Sequence, residues 1–583
     1  AHMGVLATVP EQKPGKDDVR LRLGVERLAD HSRDAVEITL PVKADSIPIR
    51  HYEIVEIPAG GEKVLAAPQE ATRPGSFQRA MTLASDPALI KLVAGLNSLV
   101  ESPYGSTEQR MSLASSGLAF KSFSPLLAAA KLDKRIDGDV HNTVLAISQA
   151  VDPDGLVGFW PHSKGNVSLT AWAYSFLIAA DKAGEPTDKA LTERLANVLK
   201  LSLRSDYPHL LTGNEIRERV EALTALADGG KLDPAYAAEF SRSAAQMPNV
   251  SVARMTAAVA AVPNADQRLV GNLAEAMWSR VRILSRNGQL VYNGQSQDEG
   301  NPIILPSETR SLAEMVRAAA LTSEGDPRYP ALRNALLQLG EGDGWGSTNA
   351  TAAAIRALAT AWQRPTTPLP LTVTQNGNAQ TLTLDANAPV LRQVISDPGA
   401  VTLHNNGAAP VLALVETSYL SAEPGYKAQA RSEDFALTRT LYRVPAGNAP
   451  LEKLTPDANG TIALKVGDVL EERVDLVVPE DRTHAALTLP LAAGLDPLNP
   501  NIATAPAEAT PAIAPTLTPD WTSYGDDQVF CAYDTLPKGN YTFAYRMRAL
   551  IPGTYTQPQA LAETMYQKGV EGTSAATQIV VAK

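Results

Sequence analysis

The strongest constraint on how this chain can fold is a change of texture near residue 76 and its reversal near residue 365. Between those points the sequence is rich in alanine and leucine, with apolar residues recurring at a period near 3.6. That period is what an amphipathic helix requires. Twelve helices are expected, at 87–102, 108–131, 138–151, 166–183, 187–204, 214–228, 234–246, 251–262, 266–286, 307–323, 328–340 and 347–363. Short connections between them make six hairpins. The pattern stops at Arg364-Pro365-Thr366-Thr367-Pro368, where two prolines cannot continue a helix.

A repeat runs through the block. A glycine or an aromatic precedes a polar cluster, and the cluster leads into an alanine-rich helix. Gly158-Phe159-Trp160 is followed by Ser168-Leu169-Thr170-Ala171, Leu290-Val291-Tyr292 by Ser307-Glu308-Thr309, and Gly344-Trp345-Gly346 by Ser347-Thr348-Asn349. Small residues at each helix start let helices crowd around a shared axis. This suits a closed α/α toroid with its inner helices starting on one face, and a helix-repeat superhelix is the competing arrangement.

Outside the block the residues alternate as strands do, for example Val36-Glu37-Ile38-Thr39-Leu40 and Gln380-Thr381-Leu382-Thr383-Leu384. Residues 46–75 and 366–427 are expected to pair as one β-sandwich into which the helical domain, 76–365, is inserted. Residues 1–45 read as the tail of another β domain, and 428–583 as a second antiparallel sandwich with an irregular loop at 494–520. Ala1-His2-Met3 reads as a cloning scar with no signal peptide after it, so the chain is expected to be a fragment.

A net charge of -11 without a basic stripe argues against nucleic acid as a partner. The single cysteine, Cys531, excludes an internal disulfide framework. No zinc-type His/Glu spacing, phosphate-cradling glycine loop or membrane-spanning apolar run occurs, so neither a metal nor a cofactor is expected.

The chemistry concentrates at Pro103-Tyr104-Gly105-Ser106-Thr107-Glu108-Gln109-Arg110. Ser106-Thr107 can cap a helix whose first turn carries Glu108 and Gln109. Residues 106 and 109 fall near one helix face. A cysteine at 106 could attack the Gln109 carboxamide, expel ammonia and close a thioester ring. Serine is a weak nucleophile without an adjacent base, and an ester is a poorer acyl donor. Covalent trapping through a thioester is therefore closed to this sequence.

Gly105-Ser106-Thr107-Glu108-Gln109 resembles the Cys-x-Glu-Gln motif of the alpha-2-macroglobulin and complement family, with serine in place of cysteine. Gly158-Phe159-Trp160-Pro161 and Leu169-Thr170-Ala171 resemble that family's thioester domain. The split β element resembles its CUB domain. Asp526-Asp527-Gln528-Val529-Phe530, Tyr541-Thr542-Phe543, Pro552-Gly553-Thr554-Tyr555 and Ala562-Glu563-Thr564-Met565-Tyr566 resemble the final macroglobulin domain (MG10) of bacterial members. The resemblance implies a peptidase inhibitor rather than an enzyme, of the branch that lacks a thioester, with its bait region upstream of these residues. It implies a periplasmic protein, inner-membrane associated through a region absent here, with peptidases as partners and no small-molecule substrate. Engineered replacement of a native cysteine is the rival account of Ser106. An envelope scaffold associated with cell-wall synthesis is the alternative function.

Other candidates follow from the same resemblance. His162 occupies a loop where some complement relatives carry an acyl-transfer histidine, and without a thioester it has nothing to transfer. Tyr104, Gln109, Met565 and Tyr566 are expected to form a contact between the helical and the last domain. Apart from that resemblance, and because many α/α toroids are glycosidases or lyases, Asp152, Asp154, Glu215, Asp298, Glu299 and Glu308 are candidates for a glycosidase pair, which needs two carboxyls roughly 5–10 Å apart across one cleft. Asp152-Pro153-Asp154-Gly155 reads more simply as a turn, and Glu308 as a first-turn helix acid.

Overall fold

The computed structural model describes residues 18–41, 44–100, 105–121, 133–286, 288–296, 305, 307–340, 345–359, 366–432, 434–447, 449–565 and 570–583. Among them are twelve α-helices: α1 (Pro87–Val100), α2 (Thr107–Lys121), α3 (Asp133–Gln149), α4 (Val167–Lys182), α5 (Lys189–Ser202), α6 (Glu215–Asp228), α7 (Pro234–Ser241), α8 (Asn249–Ala260), α9 (Gln267–Trp278), α10 (Glu308–Thr322), α11 (Tyr329–Leu339) and α12 (Thr348–Leu358). The even-numbered helices touch in sequence, α2 to α4 to α6 to α8 to α10 to α12, and α12 returns to α2. The ring is closed, not an open superhelix. Odd-numbered helices pack outside it.

The two helix sets are capped differently. Inner helices begin on neutral caps: Ser106 Oγ accepts from Gln109 N, Asn166 Oδ1 from Leu169 N, Ser307 Oγ from Arg310 N and Ser347 Oγ from Ala350 N. Outer helices α5, α7 and α9 begin on Asp188, Asp233 and Asp266. A carboxylate suits the positive end of a solvated helix. At a crowded inner mouth it would be desolvated, and a hydroxyl or amide caps at lower cost.

Two four-stranded sheets hold the ring. One runs Val390–Ile395, Gln78–Ala84, Val411–Tyr419, Ile49–Ile57, and the other Glu62–Leu65, Val401–Asn405, Leu369–Gln375, Asn378–Leu384. Strands from before and after the helices share each sheet, so the ring is an insertion. Gln78–Ala84 lies beyond the boundary expected at 75. It is a strand paired to both Val390–Ile395 and Val411–Tyr419. Its side chains are buried on both faces, between the other sheet and α1, which hides the period-2 signal.

The expected helix 266–286 ends at Trp278, and Val281–Arg286 is instead a strand paired with Gln289–Gln295. Gly288, at φ +77°, turns this hairpin. Met277, Val281 and Leu284 keep helical spacing across the break, so helical period alone overran it. Asp18–Glu26 and Arg33–Pro41 form a separate two-stranded ribbon.

The C-terminal region contains five-, three- and five-stranded sheets around a core that includes Leu437, Val474, Leu487, Cys531, Tyr545 and Ile579. Within 494–520 a short strand, Leu495–Leu498, pairs with Gly539–Ala549, and the rest is irregular apart from one turn of 3-10 helix. One face of the sheet containing Arg482–Pro490 and Gln528–Leu536 joins the ring. Ala486, Phe530, Ala532 and Met565 belong to the same buried cluster as Trp160 and the inner helices.

Candidate functional site: a capped motif at the ring mouth

Ser106 and Gln109 make a reciprocal pair. The Gln109 backbone N–H donates to Ser106 Oγ at 3.3 Å, and the Ser106 backbone N–H donates to Gln109 Oε1 at 3.1 Å. This is a capping box, in which side chains at the helix start satisfy each other's orphan N–H groups. It also folds the Gln109 carboxamide back onto residue 106. The side chain at 106 and the carbonyl at 109 are thus held together, with one N–H already on the carbonyl oxygen. Gln109 Nε2 is buried and has no hydrogen-bond partner among the described residues.

The neighbours fix this arrangement. Gly105, at φ +74°, turns the chain into α2, and Arg110 Nε donates back to Gly105 O at 2.7 Å. Thr107 N donates to Phe159 O at 2.8 Å, tying the motif to the Gly158-Phe159-Trp160 loop. Gly158 is required there, because a Cβ would lie 2.4 Å from Ser163 Oγ. Glu108 is fully buried and accepts from Ser112 Oγ at 2.5 Å and Thr348 Oγ1 at 2.9 Å. The second bond joins α2 to α12, the first inner helix to the last.

The C-terminal sandwich sits over this mouth. Trp160 stacks on Trp521 at 6.1 Å with planes 5° apart and tilts against Phe530 at 5.7 Å. Phe159 meets His484 at 4.8 Å. Met565 is buried in the shared cluster, and its N–H donates to His484 O at 2.8 Å. Tyr104 and Tyr566 lie outside the described residues. His162 is exposed, in the left-handed region at φ +65°.

Ser106, Thr107, Glu108 and Gln109 are therefore all buried at one ring mouth, and Met565 lies in the cluster that joins the ring to the sandwich. Sequence reasoning missed Trp521, Phe530, His484 and Thr348 as members of this site. Trp521 borders a proline-rich loop, and only its alternation with Ser523 hints at a strand.

The carboxylates considered for glycan chemistry have other work. Asp152 accepts backbone N–H groups from Asp154, Leu156 and Gly165, and Glu215 accepts from Gly213. Glu308 accepts from Tyr292 Oη, and Asp154 faces His209 at 3.5 Å. Asp298 and Glu299 fall outside the described residues. No group of three metal-ligating side chains occurs among the described residues, and no described helix is long and apolar enough to cross a membrane.

Residues 435–568 match the family described as the bacterial alpha-2-macroglobulin MG10 domain. The chain superposes on Salmonella alpha-2-macroglobulin reacted with methylamine with a TM-score of 0.76 at 18% identity, covering 98% of this chain and 36% of that one. It superposes on native Escherichia coli alpha-2-macroglobulin, from domain MG7 to the C-terminus, with a TM-score of 0.72 at 18% identity, covering 98% and 88%. No curated protein matches. The chain spans about a third of the Salmonella protein's length. It thus carries a bacterial alpha-2-macroglobulin MG10 domain and, over nearly its whole length, the fold of the C-terminal region of bacterial alpha-2-macroglobulins.

Proposed function

We propose that this chain is the C-terminal part of a bacterial alpha-2-macroglobulin-type peptidase inhibitor that holds its target without a covalent bond. One observation carries the reading: position 106 presents a hydroxyl, committed as the cap of α2, where acyl capture would need a thiolate. The carboxamide beside it stays an amide. Ser106 lies under the C-terminal sandwich, buried away from any lysine on a target. Retention must then come from closure of the surrounding protein around the target. A periplasmic setting is part of the same proposal.

The test is incubation of the full-length protein that carries this chain with a serine peptidase. A complex that survives native electrophoresis and separates completely under denaturing conditions supports the reading. A peptidase adduct that resists denaturation would overturn it. Cleavage without any complex would favour the envelope-scaffold alternative.

A further inference from the structure

The inner surface of the ring carries a cluster of charge that the capped motif does not use. Glu221 on α6 faces Arg217 at 3.6 Å, Arg254 at 3.7 Å and Arg310 at 3.4 Å. Glu314 on α10 faces Arg254 at 4.0 Å, Arg356 at 3.4 Å and Arg317 at 2.7 Å. Five guanidiniums therefore share two carboxylates across α6, α8, α10 and α12. Arginine stays protonated, so Arg254, Arg317 and Arg356, which all face Glu314, carry two positive charges more than that carboxylate supplies. Asp228 adds a more distant negative charge at the rim.

The geometry shows the same excess. Only the Arg317 contact has ideal hydrogen-bond length, and Arg254 reaches its carboxylates at 3.7 and 4.0 Å, beyond hydrogen-bonding range. Arg356 Nε is buried and has no hydrogen-bond partner among the described residues. Burial and the neighbouring guanidiniums push Arg310 and Arg356 down to about 10. Burial alone would raise the Glu314 carboxyl, and the guanidiniums around it hold it instead at about 2. The positive surplus therefore persists at neutral pH. The cluster opens to solvent on one side, where the Arg317 and Arg356 side chains keep 41% and 26% of their exposure. Arg356 lies in the last turn of α12, at the end of the inner helices away from the Ser106 mouth.

We propose that this arginine cluster binds a small tetrahedral oxyanion, of the phosphate or sulfate class, on Arg254 and Arg356. Guanidinium donors in planar forks match oxyanion geometry and give charge-assisted bonds. The bound anion would tie α8 to α12, the two inner helices that flank α10. Chloride, a point charge without a fork-matching pair of oxygens, is a poorer fit.

The test is equilibrium dialysis of the 583-residue chain against labelled inorganic phosphate at fixed chloride, with sulfate as competitor. Saturable binding near one equivalent, displaced by sulfate and not by equal ionic strength of chloride, is expected. In Arg356→Gln the dissociation constant should rise about tenfold or more, the scale of one lost charge-assisted bond. If Arg356→Gln fails to fold, Arg356→Lys keeps the charge and loses the fork, and a severalfold weakening is expected. Absence of saturable binding to the unaltered chain, or unchanged affinity in the folded Arg356 variants, overturns the proposal.

Discussion

Glu108→Gln should open the seam of the helical ring. Glu108 is fully buried and is the acceptor that joins α2 to α12 through Thr348 Oγ1 at 2.9 Å, while Ser112 Oγ holds its other oxygen. Leaving a buried hydrogen-bonding partner unsatisfied costs about 1–3 kcal/mol. The amide keeps the shape and one acceptor, but it places an NH2 against one of two hydroxyls, each of which already has this residue as its acceptor. A loss of about 2 kcal/mol follows. Thr348→Val removes the donor alone and should cost a similar amount. Because both variants break the same bond, the double variant should fall short of additivity by about 1 kcal/mol or more. Hydrogen–deuterium exchange reports this locally, which matters because a multidomain chain does not unfold in two states. Protection should fall in α2 and α12 together and stay unchanged in the C-terminal sandwich. Independent, additive effects confined to one helix would refute the argument that this bond closes the ring.

Trp160→Ala, which empties a stacked site between Trp521 and Phe530, should cost about 3–5 kcal/mol and detach the C-terminal sandwich from the ring, seen as new proteolytic cleavage between them. Glu221→Ala leaves Arg217, Arg254 and Arg310 without their shared carboxylate and should destabilise the ring by about 3–5 kcal/mol in thermal unfolding. Burial, and then the charge of Glu571 directly opposite, raise the Glu563 carboxyl to about 7. Its contribution to stability is therefore full below about 4.5 and lost as pH rises through 7, so Glu563→Gln should gain up to about 3 kcal/mol relative to the unaltered chain between pH 5 and 8. Identical pH profiles for the two proteins would show that this carboxyl is solvated.

Much of the fold was legible because its signals are local. The helical period located all twelve α-helices of the described residues, and the caps Asn166, Ser307 and Ser347 fall at helix starts that the polar clusters marked. Two strands misled, for different reasons. Gln78–Ala84 shows no alternation because sheet and helix cover its two sides, whereas Val281 and Leu284 keep the helical spacing of Met277 past the end of α9 in a strand that is mostly exposed. At the site, the spacing of Ser106 and Gln109 placed both on one face, but not the reciprocal bonds of the capping box. Glu108 could be read as a first-turn acid; its bond to Thr348 spans 240 residues and has no local signature. The same holds for Trp521 and His484, which meet Trp160 and Phe159 only after two domains have folded.

The proposed non-covalent mechanism turns on one atom: oxygen at position 106, in a site that brings residue 106 against the Gln109 carboxamide. Intact-mass measurement of the chain and of Ser106→Cys, each with and without methylamine, tests this most directly. In the variant the thiol should attack Gln109 Cδ, the C–N bond should break, and ammonia should leave with the thiol proton; methylamine should then attack the same carbon, break the C–S bond and leave a methylamide at residue 109, its proton returning to the freed thiol. The unaltered chain should keep its sequence mass under both conditions. Ammonia loss or methylamine uptake at Gln109 in the unaltered chain would contradict the account.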